Sequence, residues 1–485
     1  MSSQIVIRGV TAVTMDPKLG DQVGVDILIE GNRIAAIGRE IAYRPNAQVI
    51  QAQGMIAMPG MVDGHRHVWQ TQLRGVATDW TIIDYAERMR TVYCVCYQPE
   101  DAYLANLVGG LEAIDAGITS IVDHSHLQLT PEHSDALARG LKESGISGFF
   151  CYGFFNNPPY WPGDAIDVDA IRAKITAPVE DWHIENARRV RDLHFGSDGV
   201  LRFGISTSEV YMLPMDLAAR ELTAVWSLNP ELVTSHWYEG SLLRGLREKG
   251  LLRANMVFTH CNHFSPEDFQ MVAEIGAGVC STPDTELGMG LGFPVQQRAL
   301  DAKINAVFGV DICSNIAGDI LSQVRLALQS QRWANVAPTG QLPKTMSVKA
   351  RDYLHMITQG GANAIGMGRE IGSLTPGKRA DLVLVRTDGI NMVPAHDPIG
   401  ALVFYANPND IDTVFIAGRL VKKDGVLQGI DWPSLRARLT ESRRRIDARF
   451  SQVPFDRVRT VFGDLLADKE TFSSGTFSAT SEAPL

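Results

Sequence analysis

Residues 59–67 read Pro-Gly-Met-Val-Asp-Gly-His-Arg-His and place two histidines, His65 and His67, at the end of an apolar segment. On a β-strand, side chains two residues apart point to the same side of the sheet. Two imidazoles on one side of a strand can bind a single metal ion. An isolated His-x-His is more often a pair of polar residues at the start of a loop, so the significance of this pair depends on the sequence around it.

The two ends of the chain carry a β-hairpin pattern. Apolar and polar residues alternate near the N-terminus and again far downstream, in segments bounded by Gly, Asn or Asp: residues 4–8, 26–29, 33–38, 380–385 and 414–421. A two- or three-stranded fragment is marginally stable by itself. We therefore expect both ends to share one β-sandwich domain, in which four late residues face the N-terminal strands: Leu382, Leu384, Val414 and Ile416.

Between these ends, β-branched runs alternate with amphipathic stretches. The paired segments are 119–122 with 132–144, 201–205 with 215–227, and 256–259 with 266–275. Repeated strand-then-helix units predict a parallel (β/α)8 TIM barrel. The predicted organisation is a β-domain in two parts, a barrel between them, and a C-terminal helix followed by a flexible tail: 1–58 and 365–430, 59–364, and 431–485.

Other predicted strands end in residues with acid–base or metal-binding chemistry. Residues 234–239 read Thr-Ser-His-Trp-Tyr-Glu and contain His236 and Glu239. His260 ends the apolar run 256–259, and Asp311 ends the apolar segment 307–310.

These segments together resemble the amidohydrolase superfamily. Residues 59–67 are similar to its first-strand metal motif, and residues 372–385, Gly-Ser-Leu-Thr-Pro-Gly-Lys-Arg-Ala-Asp-Leu-Val-Leu-Val, are similar to its late β-domain signature. The later histidines and acids follow the order of one branch, which contains the triazine hydrolases and the guanine, cytosine and S-adenosylhomocysteine deaminases. The resemblance covers roughly residues 5–430.

The resemblance implies the role of each site residue. The metal ligands are His65, His67, His236 and Asp311. Glu239 is implied as the proton shuttle, His260 as the group that polarises the electrophile, and Asp311 as the acceptor of the proton from the attacking water. Three imidazoles and one carboxylate suit Zn²⁺, with Fe²⁺ as the alternative, and leave one position open for water.

The sequence favours one metal ion per chain. The fourth-strand candidate, residues 201–207, contains no lysine, whereas binuclear relatives carry a carboxylated lysine there. Asp123-His124-Ser125-His126 is a second His-x-His that competes for the metal role, but it lacks the flanking Pro-Gly-x-Val-Asp-Gly. His263, three residues after His260, is interpreted as a loop histidine.

Several residues are candidates for substrate contact: Trp69, Gln72, His126 and Trp161. Aromatic residues concentrated between 149 and 161 would suit a planar ring if they overhang the barrel mouth. Three departures from the family pattern leave the metal site intact but argue against a nucleoside substrate. They are Arg66 inside the metal motif, Thr207 or Ser208 where a histidine is frequent, and 282–286 in place of Cys-Pro-x-Ser-Asn.

Composition excludes several function classes. The net charge is -10, with 45 Lys+Arg against 55 Asp+Glu, and basic residues form no patch on the scale of a nucleic-acid site. No leader or long apolar run is visible, so we expect a cytoplasmic protein without membrane contact. The six cysteines are too sparse for a disulfide framework and lack the spacing of a zinc site. Family members are usually oligomers, which implies a homodimer or homotetramer.

The leading functional hypothesis is a hydrolase that acts on a carbon–nitrogen bond of a planar heterocycle, as a deaminase or, alternatively, a dechlorinase. Hydrolytic opening of a cyclic amide, as in imidazolonepropionase, shares the same ligand pattern and stays open as a second enzymatic hypothesis. A catalytically inactive barrel used for binding is the hypothesis from another class, and metal analysis separates it from the enzymes.

Overall fold

The structure is a computed structural model that describes residues 4–196, 199–459 and 461. Its strands are, in chain order, β1 Gln4–Ala12, β2 Gln22–Glu30, β3 Arg33–Gly38, β4 Gln48–Gln51, β5 Ile56–Pro59, β6 Met61–Arg66, β7 Ile118–Ser125, β8 Ser147–Gly153, β9 Leu201–Ser206, β10 Leu232–Trp237, β11 Met256–His260, β12 Gly278–Ser281, β13 Ala306–Phe308, β14 Leu382–Val385, β15 Ile411–Ile416, β16 Arg419–Lys423 and β17 Val426–Leu427.

The helices are α1 Ile82–Arg88, α2 Cys94–Cys96, α3 Pro99–Asp115, α4 Pro131–Ser144, α5 Val168–Ile175, α6 Asp181–His194, α7 Met215–Ser227, α8 Leu243–Glu248, α9 Pro266–Ile275, α10 Pro283–Gly288, α11 Gln296–Asp301, α12 Ile320–Val336, α13 Ala350–Met356, α14 Gln359–Ala364, α15 Pro398–Gly400 and α16 Trp432–Phe450. A 3₁₀ helix, Val68–Leu73, and a π-helical turn, Met89–Tyr93, lie between β6 and α3. None of the helices in these described ranges combines the length and apolar composition that a membrane crossing requires.

Strands β6 to β13 form a parallel eight-stranded sheet in chain order. The sheet closes where the chain leaving β13 returns to β6: Asp311 N–H donates to His65 O at 2.8 Å and His67 N–H donates to Asp311 O at 2.7 Å. The helices between strands cover the outside, as the alternating pattern predicts. The predicted barrel is confirmed.

Gly64 in the metal motif and Gly309 after β13 allow β6 and β13 to approach each other closely. A Cβ on Gly64 would lie 2.4 Å from Val307 Cγ1 on β13. A Cβ on Gly309 would lie 2.6 Å from the backbone oxygen of His65. Both distances are shorter than any real contact, so these close approaches require glycine.

Strands from both ends of the chain form the second, mixed sheet, in the order β17-β16-β15-β14-β5-β1-β2-β3, with β4 also paired to β1. β5 joins the two ends, because it pairs parallel with β1 and antiparallel with β14. The sheet encloses a small apolar core to which the N-terminal strands contribute Ile5 and Ile27 and the late strands contribute Leu382, Leu384 and Phe415.

Two of the late residues do not face the N-terminal strands as expected. Val414 and Ile416 belong to the large core that includes the barrel and its helices. The physical reason is the alternation of β15: Phe415 points into the small core, so its two neighbours point to the barrel.

The C-terminal helix α16 packs against the barrel. Leu435 contacts an apolar cluster on α3 that includes Leu104, Val108 and Leu111. Arg445 forms an ion pair with buried Asp101 at 2.6 Å. The tail that the sequence predicts to be flexible, residues 471–481, lies outside the described residues.

Candidate metal centre and active site

The centre lies at the carboxyl ends of the barrel strands, where active sites of this architecture occur. His65 is the penultimate residue of β6, His67 follows that strand, and His236 is the penultimate residue of β10. His260 ends β11, and Asp311 lies three residues after β13. The strands therefore bring together residues that lie far apart in sequence.

The spacing of the donor atoms fits binding of one shared metal ion. His65 Nε2 lies 3.2 Å from His236 Nε2 and 3.4 Å from Asp311 Oδ1, and His67 Nε2 lies 3.3 Å from Asp311 Oδ1. Ligand atoms about 2.1 Å from one metal ion lie roughly 3.0 to 3.4 Å from one another, depending on the coordination number. The donors thus have both the chemistry and the separation that a shared divalent metal ion requires.

Hydrogen bonds fix the tautomers of two of these histidines. His67 Nδ1–H donates to the backbone oxygen of His124 at 2.8 Å, and His236 Nδ1–H donates to Glu209 Oε1 at 3.0 Å. A neutral imidazole that donates through Nδ1 keeps a lone pair on Nε2. Both rings therefore present Nε2 as a metal donor, with an acceptor behind them that holds their orientation.

Burial and nearby charges give the site residues the protonation states that bind a cation. Burial lowers the pKa of His65 and His67, so both rings are neutral at pH 7. Burial alone would raise the pKa of Asp311, but its contacts with His65 and His67 more than offset that effect, and its pKa lies well below the ordinary value. Neutral imidazoles and an ionised carboxylate are the protonation states that bind metal.

His260 has a different environment from the other histidines. Its Nδ1 lies 3.1 Å from Thr282 Oγ1 and 3.6 Å from Oε1 of fully buried Glu286. Burial lowers its pKa, but the contact with Glu286 and the charges of Asp311, Glu286 and Glu209 together raise it above the ordinary value. An imidazole whose pKa is raised in this way is suited to donate a proton or hydrogen bond to a bound molecule.

Backbone strain is concentrated at the same place. His260, Cys261 and Asp311 adopt φ values of +76°, +56° and +67°. Residues other than glycine rarely adopt this left-handed conformation, and where they do, it often marks a functional site. Here it turns the chain at the ends of β11 and β13, so that His260 and Asp311 reach the centre.

Arg66, the unusual residue inside the metal motif, points away from the metal donors. Its Nε donates to Asp63 at 2.9 Å, and its guanidinium lies 3.7 Å from Glu112. Its Nη2 donates to the backbone oxygen of Gly318 at 2.8 Å. Arg66, which departs from the family's metal motif, therefore forms a buried ion pair that supports β6.

Glu239 is not joined to the metal donors in this conformation. Its carboxylate accepts hydrogen bonds from Ser241 N at 2.8 Å and Ser241 Oγ at 2.6 Å. Within the described ranges it makes no hydrogen bond or ion pair with His236, His260 or Asp311. The glutamate that contacts a proposed metal ligand is instead Glu209, which pairs with His236.

The four candidate substrate residues divide into two pairs. Trp69 is buried and donates its indole N–H to Nδ1 of His126 at 3.3 Å, and the His126 ring stacks on His67 with centroids 3.9 Å apart. Gln72 instead donates to Asp101 O and Ser442 Oγ, toward α3 and α16. Trp161 is 40% exposed and stacks on His133. Only Trp69 and His126 therefore adjoin the histidine cluster.

His124, His126 and His236 form a second group whose ring nitrogens lie within 4.8 Å of one another. His126 is a poor ligand there because its Nδ1 accepts the indole proton of Trp69, which leaves the proton of the neutral ring on Nε2. His236 already directs Nε2 to His65 and Nδ1 to Glu209. His263 hydrogen-bonds Tyr238 in an exposed loop.

Sequence reasoning missed Glu209 and the contact of Glu286 with His260. Glu209 lies three residues after β9, and an acid in the loop that follows a barrel strand was the available signal. Glu286 was visible only as a departure from the family pattern, because its contact with His260 depends on how α10 begins after β12.

Comparison with known proteins identifies one matching family model and several similar deaminases. The model of the amidohydrolase family matches residues 56–421. The chain is 27% identical over 463 residues to 5-methylthioadenosine/S-adenosylhomocysteine deaminase of Symbiobacterium thermophilum, covering 91% of this chain and 99% of that protein. It is 26% identical over 441 residues to the enzyme of the same name from Desulforudis audaxviator, covering 89% and 96%.

Solved structures share the fold. An adenosine deaminase from Xanthomonas campestris with bound zinc superposes with a TM-score of 0.78 at 22% identity, covering 92% of this chain and 99% of that one. A variant of atrazine chlorohydrolase from Arthrobacter aurescens, complexed with zinc and atraton, gives a TM-score of 0.77 at 23% identity, covering 90% and 100%. With the family model spanning the whole barrel and part of the β-domain, the chain belongs to the amidohydrolase family.

Proposed function

We propose that this protein is a hydrolytic deaminase that binds one divalent metal ion, with Zn²⁺ preferred, and removes an amino group from a planar heterocycle. The observation that carries the proposal is the donor set of His65, His67, His236 and Asp311 at the spacing of ligands that share one metal ion, with His260 beside it. The deaminases among the relatives support the reaction type.

Each site residue has a separate role in the proposed reaction. Held by these four residues, a divalent ion would supply a water activated for attack at neutral pH. Asp311 would accept a proton from the attacking water, and His260 would donate a hydrogen bond to the ring nitrogen next to the attacked carbon, which draws electron density from that carbon. Glu239 carries the proton to the leaving amine. To do so its side chain turns from Ser241 toward the centre.

The experiment is a screen of aminated heterocycles, halogenated heterocycles and lactams against zinc-loaded protein, with ammonia release and product mass as readouts. We expect ammonia release, a product one mass unit heavier than the substrate, and about one metal ion per chain. Release of halide alone, or ring opening without ammonia, would assign the site to a dechlorinase or a cyclic amide hydrolase. Full activity in metal-free protein would remove the basis of the proposal.

The Glu239→Gln variant tests the proton shuttle. The amide keeps the shape of the side chain but cannot transfer protons, so we expect turnover to fall about 10²- to 10⁴-fold while zinc content is unchanged. Glu248→Gln, on the exposed end of α8, is the matched control and should retain full turnover. A fully active Glu239→Gln variant would exclude Glu239 from proton transfer.

A further inference from the structure

One wall beside the metal centre carries a half-buried arginine without an acidic partner. Arg90 lies in the π-helical turn Met89–Tyr93, in the long segment that follows the first barrel strand. Its guanidinium carbon lies 4.4 Å from the centroid of the Phe155 ring. Across the described ranges, no carboxylate lies within 4.0 Å of this guanidinium, and its Nε is buried without a hydrogen-bond partner. π-helical turns occur frequently at functional sites.

A second unpartnered donor lies on the same wall. His126 is 1% exposed, and its Nε2 has no hydrogen-bond partner in the described part of the chain. The proton of the neutral ring is on this Nε2, because Nδ1 accepts the indole N–H of Trp69. Phe155 joins the two donors, since its ring lies edge-on to the His126 ring with centroids 4.6 Å apart.

Arg90 brings a positive charge to this wall. Glu209 is close enough for its carboxylate to interact with that charge, but it hydrogen-bonds His236 and forms no ion pair with Arg90 among the described residues. A buried donor without a partner destabilises the protein, and a bound acceptor removes that penalty.

We propose that Arg90 and His126 form a subsite for an anionic oxygen group on the substrate, such as a carboxylate attached to the heterocycle. This proposal rests on the function proposed above, because the subsite lies beside the metal centre on the stack of His126 against His67. It narrows the substrate class to heterocycles that carry a negative charge at neutral pH. Arginine suits this role because its planar guanidinium matches the geometry of a carboxylate.

The test compares ligands that differ only in the carboxylate. The probes are pterin with pterin-6-carboxylate and cytosine with cytosine-5-carboxylate, which place the charge at different points on the ring. Dissociation constants are measured on zinc-loaded protein, by fluorescence for the pterins and by calorimetry for the cytosines. We expect the acid of at least one pair to bind about 10- to 100-fold more tightly than its neutral partner, the range of a charge-assisted hydrogen bond.

Variants of Arg90 test whether this residue causes the preference for the acid. Arg90→Met should reduce the preference for the acid to within about threefold and leave binding of the neutral partner unchanged, because only the charge is lost. Arg90→Lys keeps the charge without the planar fork and should retain part of the preference, which covers the case in which the methionine variant fails to fold. Arg88→Met is the matched control: Arg88 lies two residues away and packs on Trp80 and Phe455. It should keep the full preference.

Three results would overturn the subsite: equal affinity for acid and neutral partner in both pairs, an unchanged preference in Arg90→Met, or no binding of any probe at millimolar concentration. Failure of the proposed function is scored separately. Ammonia release from any neutral aminated heterocycle by the wild type would support the deaminase even if the carboxylate preference is absent.

Discussion

At the scale of single residues, the direction of each imidazole decides its chemistry. His67 and His236 donate through Nδ1 to a backbone oxygen and to Glu209, so they present a lone pair on Nε2. His126 accepts through Nδ1 from Trp69, so it presents a proton on Nε2 instead. The sequence contains two His-x-His pairs, and their different partners make one pair suited to a metal ion and the other to an acceptor group.

The contact of Glu209 with His236 leads to a prediction about metal affinity. Glu209→Gln replaces a carboxylate with a weaker acceptor, so the His236 ring becomes less basic and less firmly oriented. We expect the affinity for zinc to fall about 10- to 100-fold, with turnover recovered at saturating zinc. Competition with a chelating dye measures the affinity. Glu267→Gln, at the exposed start of α9, serves as control and should bind zinc as the wild type does. An unchanged affinity in Glu209→Gln would assign this contact no role in metal binding.

At the scale of elements, the sequence predicted strands and helices well and their side-chain partners poorly. The apolar runs at 201–205 and 256–259 became β9 and β11, and the stretches 215–227 and 266–275 match α7 and α9. Periodicity contains this information because it reports which face of each element is buried. Glu209 and Arg90 lie in loops and turns between the strands, where no periodicity operates. Their partners depend on which strands become neighbours in the closed barrel.

Helix α7 supports the loop that carries Glu209. Glu221 on this helix is buried and accepts hydrogen bonds from Ser208 N at 2.7 Å and Ser208 Oγ at 2.6 Å. Burial raises the pKa of Glu221 from 4.5 to about 7. Between these two values the native carboxyl keeps a proton that the unfolded chain has released. The folded state then binds more protons, so the free energy of unfolding decreases as the pH rises.

We therefore expect Glu221→Gln to weaken the pH dependence of stability. Between about pH 5 and pH 8, the wild type should lose up to roughly 3 kcal/mol more than the variant, because the glutamine does not titrate. Urea unfolding of metal-free protein at both pH values measures this difference. Glu185→Gln, an exposed position on α6, should lose as much stability as the wild type. Equal pH dependence in Glu221→Gln and wild type would contradict the raised pKa.

At the scale of the whole molecule, the β-domain and the barrel depend on the same strand junction. β5 ends at Pro59, and β6 begins at Met61, so the chain passes from the centre of the mixed sheet into the first barrel strand within two residues. The hairpin pattern at both ends predicted that they would meet. It did not predict that β15 would turn Val414 and Ile416 toward the barrel, because alternation alone does not tell which side of a two-sided strand faces which core.

The last prediction concerns removal of the N-terminal strands. A chain that starts at Met55 lacks β1 to β4, and with them Ile5 and Ile27 of the small core, while Leu382, Leu384 and Phe415 remain and become exposed. Exposed apolar strands associate with one another, so we expect aggregation rather than a trimmed, zinc-loaded barrel. Light scattering and zinc content after purification measure the outcome.

Two point variants on β2 separate the loss of core packing from the loss of chain length. Ile27→Asp places a charge in the small core and should reproduce the aggregation, because an unpaired buried charge costs several kcal/mol. Val23→Asp, where the side chain is 67% exposed, should leave the protein folded. If the truncated chain stays soluble and binds zinc, the two ends of the chain do not depend on a shared core, and β5 alone is sufficient to complete the sheet beside the barrel.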